Sequence, residues 1–115
     1  MMLTMNITEA DELDSTWEQH DSVFRVYFAQ GIERSITTFD VSGATFSEVQ
    51  KWAKETASVD TIMAIALVSL DSRGLKGLTW LFGMDPNDHP AADIEIRMHA
   101  EMMTIKSAAE AGGVA

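Results

Sequence analysis

Thr61-Ile62-Met63-Ala64-Ile65-Ala66-Leu67-Val68-Ser69-Leu70 is almost unbroken in apolar side chains. Because it lacks alternation, it reads as a central strand with both faces covered. Its apolar run, Ile62 to Val68, is far short of the ~20 residues that span a bilayer, so no membrane passage is expected. Asp71-Ser72-Arg73-Gly74 then turns the chain. Leu75 to Met84 follows as another strand, with Leu78, Trp80 and Phe82 expected on one face and Leu81 with two glycines on the other.

Upstream, Val23-Phe24-Arg25-Val26-Tyr27-Phe28 alternates, placing Phe24, Val26 and Phe28 on a core face against Arg25 and Tyr27. Gly31 breaks that run, and Ile32 to Val41, rich in Ile and Thr, reads as its hairpin partner. Thr45 stands three residues before Glu48, the spacing of a capping box. A helix is predicted from there to about Ala57, with Phe46, Val49, Trp52 and Ala53 toward the sheet. Asp85-Pro86-Asn87-Asp88-His89-Pro90 cannot continue a ladder, since proline has no N–H to donate and Asp and Asn favour turns. Ile94, Met98, Met102, Ile105 and Ala109 recur at helical spacing and predict a C-terminal amphipathic helix.

The expected fold is therefore α+β. A mainly antiparallel four-stranded sheet, in the order ββαββα, has helix packed on one face. Residues 1–21 form an acidic leader, 22–111 a single domain, and 112–115 a frayed tail. No internal repeat or linker interrupts them.

Charge bounds the function more than any motif does. The chain has 18 Asp and Glu against 8 Lys and Arg, a net charge of −10 over 115 residues. Glu9, Asp11, Glu12, Asp14, Glu18 and Asp21 all precede the first basic residue, Arg25. Such a field repels nucleic-acid backbones and anionic membranes, and it speeds encounter with basic surfaces. Cysteine is absent, which removes disulfides, thiolate metal sites and a thiol nucleophile. The first residues lack a basic segment followed by an apolar run, so an intracellular, cytoplasmic protein is expected.

No catalytic constellation emerges. His20, His89 and His99 each lack partners of the right kind and read as solvated surface residues. Asp85, Asn87, Asp88, His89 and Asp93 offer oxygen ligands, but the sixth position of a calcium loop starting at Asp85 is Pro90 where glycine is required. Glycines 74, 77 and 83 are separated by bulky strand residues and form no phosphate loop. No serine lies in a nucleophile elbow. Neither catalytic residues nor a metal nor a cofactor is predicted.

What remains is binding. Carboxylates at Asp11, Glu12, Asp14, Glu18 and Asp21, with Asp85 and Asp88, are the candidate contacts for a basic protein. Trp17, an aromatic within an acidic rim, is their candidate anchor, although it equally suits a staple onto the domain. Met98, Met102, Met103 and Ile105 read as core or as an adaptable surface for a second copy, making a homodimer through the C-terminal helix an expectation to test.

Three segments, Val23 to Phe28, then Phe39-Asp40-Val41 leading through Glu48-Val49 to Trp52-Ala53, then Gly77-Leu78-Thr79-Trp80-Leu81-Phe82-Gly83-Met84-Asp85-Pro86, resemble small acidic bacterial immunity proteins of contact-dependent and other polymorphic toxin systems. The resemblance covers roughly residues 22 to 88. It implies a cytoplasmic, non-enzymatic inhibitor that binds one cognate toxin domain. Two other readings are compatible with the composition: a phage-type or regulatory protein mimicking nucleic-acid charge against a basic host protein, and a small ligand-binding or enzymatic domain.

Overall fold

The computed structural model describes residues 5–112, with side chains described for 5–104. Its elements are β1 (Val23–Gln30), β2 (Ser35–Val41), α1 (Phe46–Thr56), β3 (Thr61–Leu70), β4 (Lys76–Phe82) and α2 (Asp93–Gly112). The strands form one antiparallel sheet in the order β2-β1-β3-β4, the α+β arrangement expected.

Alternation along β1 sets the layers. Phe24, Val26 and Phe28 stand opposite Leu67, Ile65 and Met63 of β3. Together with Val49 and Ala53 of α1 these residues, Leu67 apart, form the first buried cluster. α1 starts at the capping box: the Glu48 N–H donates to Thr45 Oγ1 (3.2 Å) while the Thr45 N–H donates to Glu48 Oε1 (2.8 Å). Both donors would otherwise lack an intrahelical partner.

The opposite face carries the second cluster, Ala29, Ile62, Ala64, Met84 and Met102, packed against Met98 and Met103. Helix thus covers the sheet on both sides, α1 on one face and α2 on the other, correcting the expectation of helix on one face alone. The small Ala64 and Ala66 of β3 let Tyr27 and Trp80 meet across it, with ring centroids 5.1 Å apart.

The register of β4 departs from simple alternation. Ile65 pairs with Phe82 but Ala66 pairs with Trp80, so Leu81 is the extra residue of a β-bulge. A bulge shifts every later side chain to the other face. Trp80 therefore lies on the α2 side and Phe82 opposite Ile65, correcting the expectation that they share a face. Gly83 follows with φ 71°, and a Cβ there would sit 2.8 Å from Met102 Sδ and 3.4 Å from the Ala64 Cβ. Glycine is what lets α2 approach the sheet this closely.

Other boundaries move for local reasons. β2 begins at Ser35, not Ile32, because Gly31 (φ 77°) and Arg34 (φ 55°) form a turn closed by the Arg34 N–H to the Gly31 carbonyl (3.2 Å). β3 is buried from Thr61 to Ala66; Leu67 and Val68 are half-buried, and Ser69 and Leu70 are exposed. Along α2, Met102 is buried and Met98 half-buried, whereas Ile94 faces water. The side chains of Ile105 and Ala109 lie outside the described residues, as do residues 113–115 of the expected tail.

Candidate functional site

Residues 5–22 carry no strand or helix, but a bend at Asp21 and a turn through Glu12 and Leu13. There the Leu13 N–H donates to Asp11 Oδ1 (3.0 Å) and the Asp14 N–H to the Asp11 carbonyl (3.2 Å). The segment is an arm lying outside the sheet. Glu9, Asp11, Glu12, Asp14, Glu18 and Asp21 are all exposed along it. The ion pairs among the described residues, Arg25–Asp40, Arg73–Asp71 and Arg97–Asp93, leave every arm carboxylate out.

Trp17 is 77% exposed. It borders a groove of about 600 Å³ whose floor is Val23 and Val68 and whose rim includes Gln19, Asp40, Leu70 and Lys76. This is the end of the sheet that α2 leaves open. On its rim Asp40 accepts from Arg25 Nε (2.8 Å) and Nη2 (3.1 Å). That hydrogen-bonded pairing holds the Asp40 carboxyl below the usual aspartate range and raises the Arg25 guanidinium, with Lys76 adding a weaker pull on Asp40. Asp21 and His20 line a second depression, of about 450 Å³, beside Thr45, Phe46 and Glu48 at the start of α1.

Asp85 and Asp88 stand elsewhere. Asp85 accepts from the Asn87 N–H (2.9 Å) and Asn87 Nδ2 (3.0 Å), and its carbonyl accepts the Asp88 N–H (3.1 Å), so Asp85 shapes its own turn. Asp88 lines a small hollow with Glu33, Arg34, His89 and His99 beside the β1–β2 turn. The arm joins β1 at Val23, whereas this hollow lies past Gln30. Eight strand residues at ~3.3 Å each put about 25 Å between the two ends. The candidate carboxylates therefore form two separate sites.

Three features were announced by no motif. Phe28, Phe39 and Trp52 form a mutual edge-on cluster, with ring centroids 5.7 to 5.9 Å apart, where α1 meets β2. Phe39 is 44% and Trp52 37% exposed. Ile32 at the β1–β2 turn is fully exposed, as free as a residue in an open chain. Exposed aliphatics also mark α2, at Ile94 and Ile96, while Met98 and Met102 are spent on its own sheet. Phe28 on the core face of β1 and Trp52 on the sheet-facing stripe of α1 were the available signals for the aromatic cluster.

Among the described residues no three His, Asp or Glu side chains converge as a metal site, and no helix is long and apolar enough to cross a membrane. Comparison with family models, with curated proteins and with solved structures finds no match.

Proposed function

We infer that this protein is a non-enzymatic inhibitor that binds a basic protein through its acidic arm, acting as an immunity protein that neutralises a cognate toxin domain in the cytoplasm. The observation that carries this reading is the arm: six exposed carboxylates, free of the ion pairs found among the described residues, precede the sheet with Trp17 in their midst. Exposed carboxylates outside any ion pair lose little on meeting cationic side chains, and they steer association. The adjacent groove offers Val23 and Val68 as an apolar seat next to Trp17, the combination of charged rim and buried anchor that gives a complex a slow off-rate. Asp88, in the hollow past the far end of β1, and Asp85, which shapes the turn leading to it, belong to a separate contact.

The test is calorimetry with the toxin-like product of a neighbouring gene at low and high salt. Binding that weakens as salt rises, with an on-rate reduced at least ~10-fold by joint reversal of Asp11, Glu12 and Asp14 to lysine, supports the reading. Salt-insensitive binding, or reversal without effect, removes the arm from it.

A further inference from the structure

The two edges of the sheet are built differently. β4 carries the devices that blunt an edge: Lys76, Gly77 and the bulge at Leu81. β2 carries none of them. Ser35-Ile36-Thr37-Thr38-Phe39-Asp40-Val41 runs against β1 without a register shift and contains no proline or lysine, and its single charged residue is already held by Arg25. α1 packs chiefly over β1 and β3, reaching β2 through the Trp52–Phe39 contact, and α2 over β3 and β4, so that among the described residues five of the seven β2 residues stay exposed and no strand pairs with its outer edge. Unpaired backbone groups on a regular edge strand of β-branched and aromatic residues are a template for another strand.

We propose that β2 pairs with β2 of a second copy, antiparallel about a two-fold axis at Thr38, to give a continuous eight-stranded sheet. The sequence is self-complementary in that register: Thr38 faces Thr38 of the second copy, Thr37 faces Phe39, Ile36 faces Asp40, and no two carboxylates stand opposite one another. On the α1 side, Phe39 of each copy comes diagonally across from the other, joining the two half-exposed Phe28–Phe39–Trp52 clusters into one apolar core. That core matters because a stable interface needs on the order of 1,200 Å² in total, more than one strand pair supplies. The charge distribution also favours this arrangement. Each arm leaves the sheet beside the Val41 end of β2, and antiparallel pairing puts the two Val41 ends at opposite corners. The arms are then ~20 Å or more apart, beyond two Debye lengths at physiological salt.

Salt makes this association distinguishable from the inhibitor reading, on which it does not depend. Two copies of net charge −10 repel, so dimerisation strengthens with salt while binding of a basic partner weakens. Sedimentation equilibrium of the full chain is expected to show a dimer whose dissociation constant falls several-fold between low and high salt. The absence of cysteine permits a specific probe of register. Thr38→Cys places two thiols across the axis, where paired Cα atoms lie ~4.5–5.5 Å apart, within disulfide range. Ser35→Cys places them ~20 Å apart in the same dimer. Oxidative cross-linking of Thr38→Cys at least ~10-fold faster than of Ser35→Cys is the supporting result, following from that difference in distance. A monomer at every concentration and salt, or a dimer in which the two variants cross-link alike, as a dimer through α2 would, overturns the proposal.

Discussion

β3 and β2 flank the same strand and draw on similar residue types, yet they experience opposite surroundings. β3 has a strand on each side and a helix over each face, and Ala64, Ile65 and Ala66 are inaccessible to water. β2 has one neighbouring strand and, among the described residues, touches α1 only at Trp52, and five of its seven residues are exposed. The lesson is that strand propensity sets the extended conformation, while position in the sheet sets what each side chain contributes. A β-branched residue on β3 stabilises by burial; on β2 it is available for contact.

The sharpest way to break this comparison is a matched pair of truncations. Ile65→Ala removes buried methyl groups between Val26 and Phe82 and leaves a cavity, an expected loss of ~3–4 kcal/mol in urea unfolding. That is a large share of the ~5–15 kcal/mol that holds a typical domain together. Thr37→Ala on β2 should change stability by no more than ~0.5 kcal/mol. Equal losses at the two positions would mean that β2 is covered by something in the isolated chain.

Gly83→Ala is next in size and tests how the second face is closed. The added Cβ meets Met102, whose Sδ also accepts the Met84 N–H at 3.3 Å, and φ 71° strains any non-glycine residue. A loss of ~2–3 kcal/mol is expected, with weaker amide-exchange protection along α2. Protection in α1, on the other face, should change least. If α1 loosened as much as α2, the two faces would be coupled through β3 and not separately packed.

How far this architecture was legible follows from the range over which each signal acts. The periodicity of β1, the capping box at Thr45 and the apolar run of β3 are local, and each element formed where its residues indicated. The bulge at Leu81 was not legible, because it is a property of how Ile65 and Ala66 meet β4 and not of the β4 sequence. For the same reason nothing in the pattern of α2 said that it would take the face opposite α1. The hollow at Asp88 and the groove at Trp17 illustrate the same limit for the site: both carboxylate groups were visible, but their separation depends on strand order. Phe39 and Trp52 lie thirteen residues apart, and only the fold brings their rings to 5.7 Å.

Thr45→Ala should cost ~1 kcal/mol, because the Glu48 N–H loses its Oγ1 acceptor while the backbone N–H of position 45 can still donate to Glu48 Oε1. α1 covers chiefly β1 and β3, so the thermal midpoint should fall while β2 amides, which depend on the β1 ladder, keep their relative protection. Preferential fraying of β2 in this variant would show that the Trp52 contact with Phe39 anchors the edge strand more than its hydrogen bonds do.

The smallest expected effect concerns the one ion pair that ties β2 to β1. Arg25 and Asp40 are paired across the ladder and are partly exposed, with side-chain accessibilities of 24% and 42%, so solvent screens them and Asp40→Asn should cost only ~0.5 kcal/mol. Its pH dependence has a definite sign. The Asp40 carboxyl is lowered in the folded protein by its hydrogen bonds from Arg25, so it binds a proton less readily there than in the unfolded chain. Its contribution is therefore complete above the ordinary aspartate range and is lost as pH falls through and below that range. Asp71, held by the Leu75 and Arg73 N–H groups and the Arg73 guanidinium, and Glu95, held by the Ala92 and Ala91 N–H groups, shift in the same direction, so Asp40 does not carry the acid lability of the wild type alone. In Asp40→Asn, stability measured from neutral pH down to about pH 3 should converge on that of the wild type as the acid limb is reached. A gap that stays constant with pH would assign the Asp40 contribution to strand packing instead of charge, leaving β2 attached to β1 by backbone pairing and Phe39 alone.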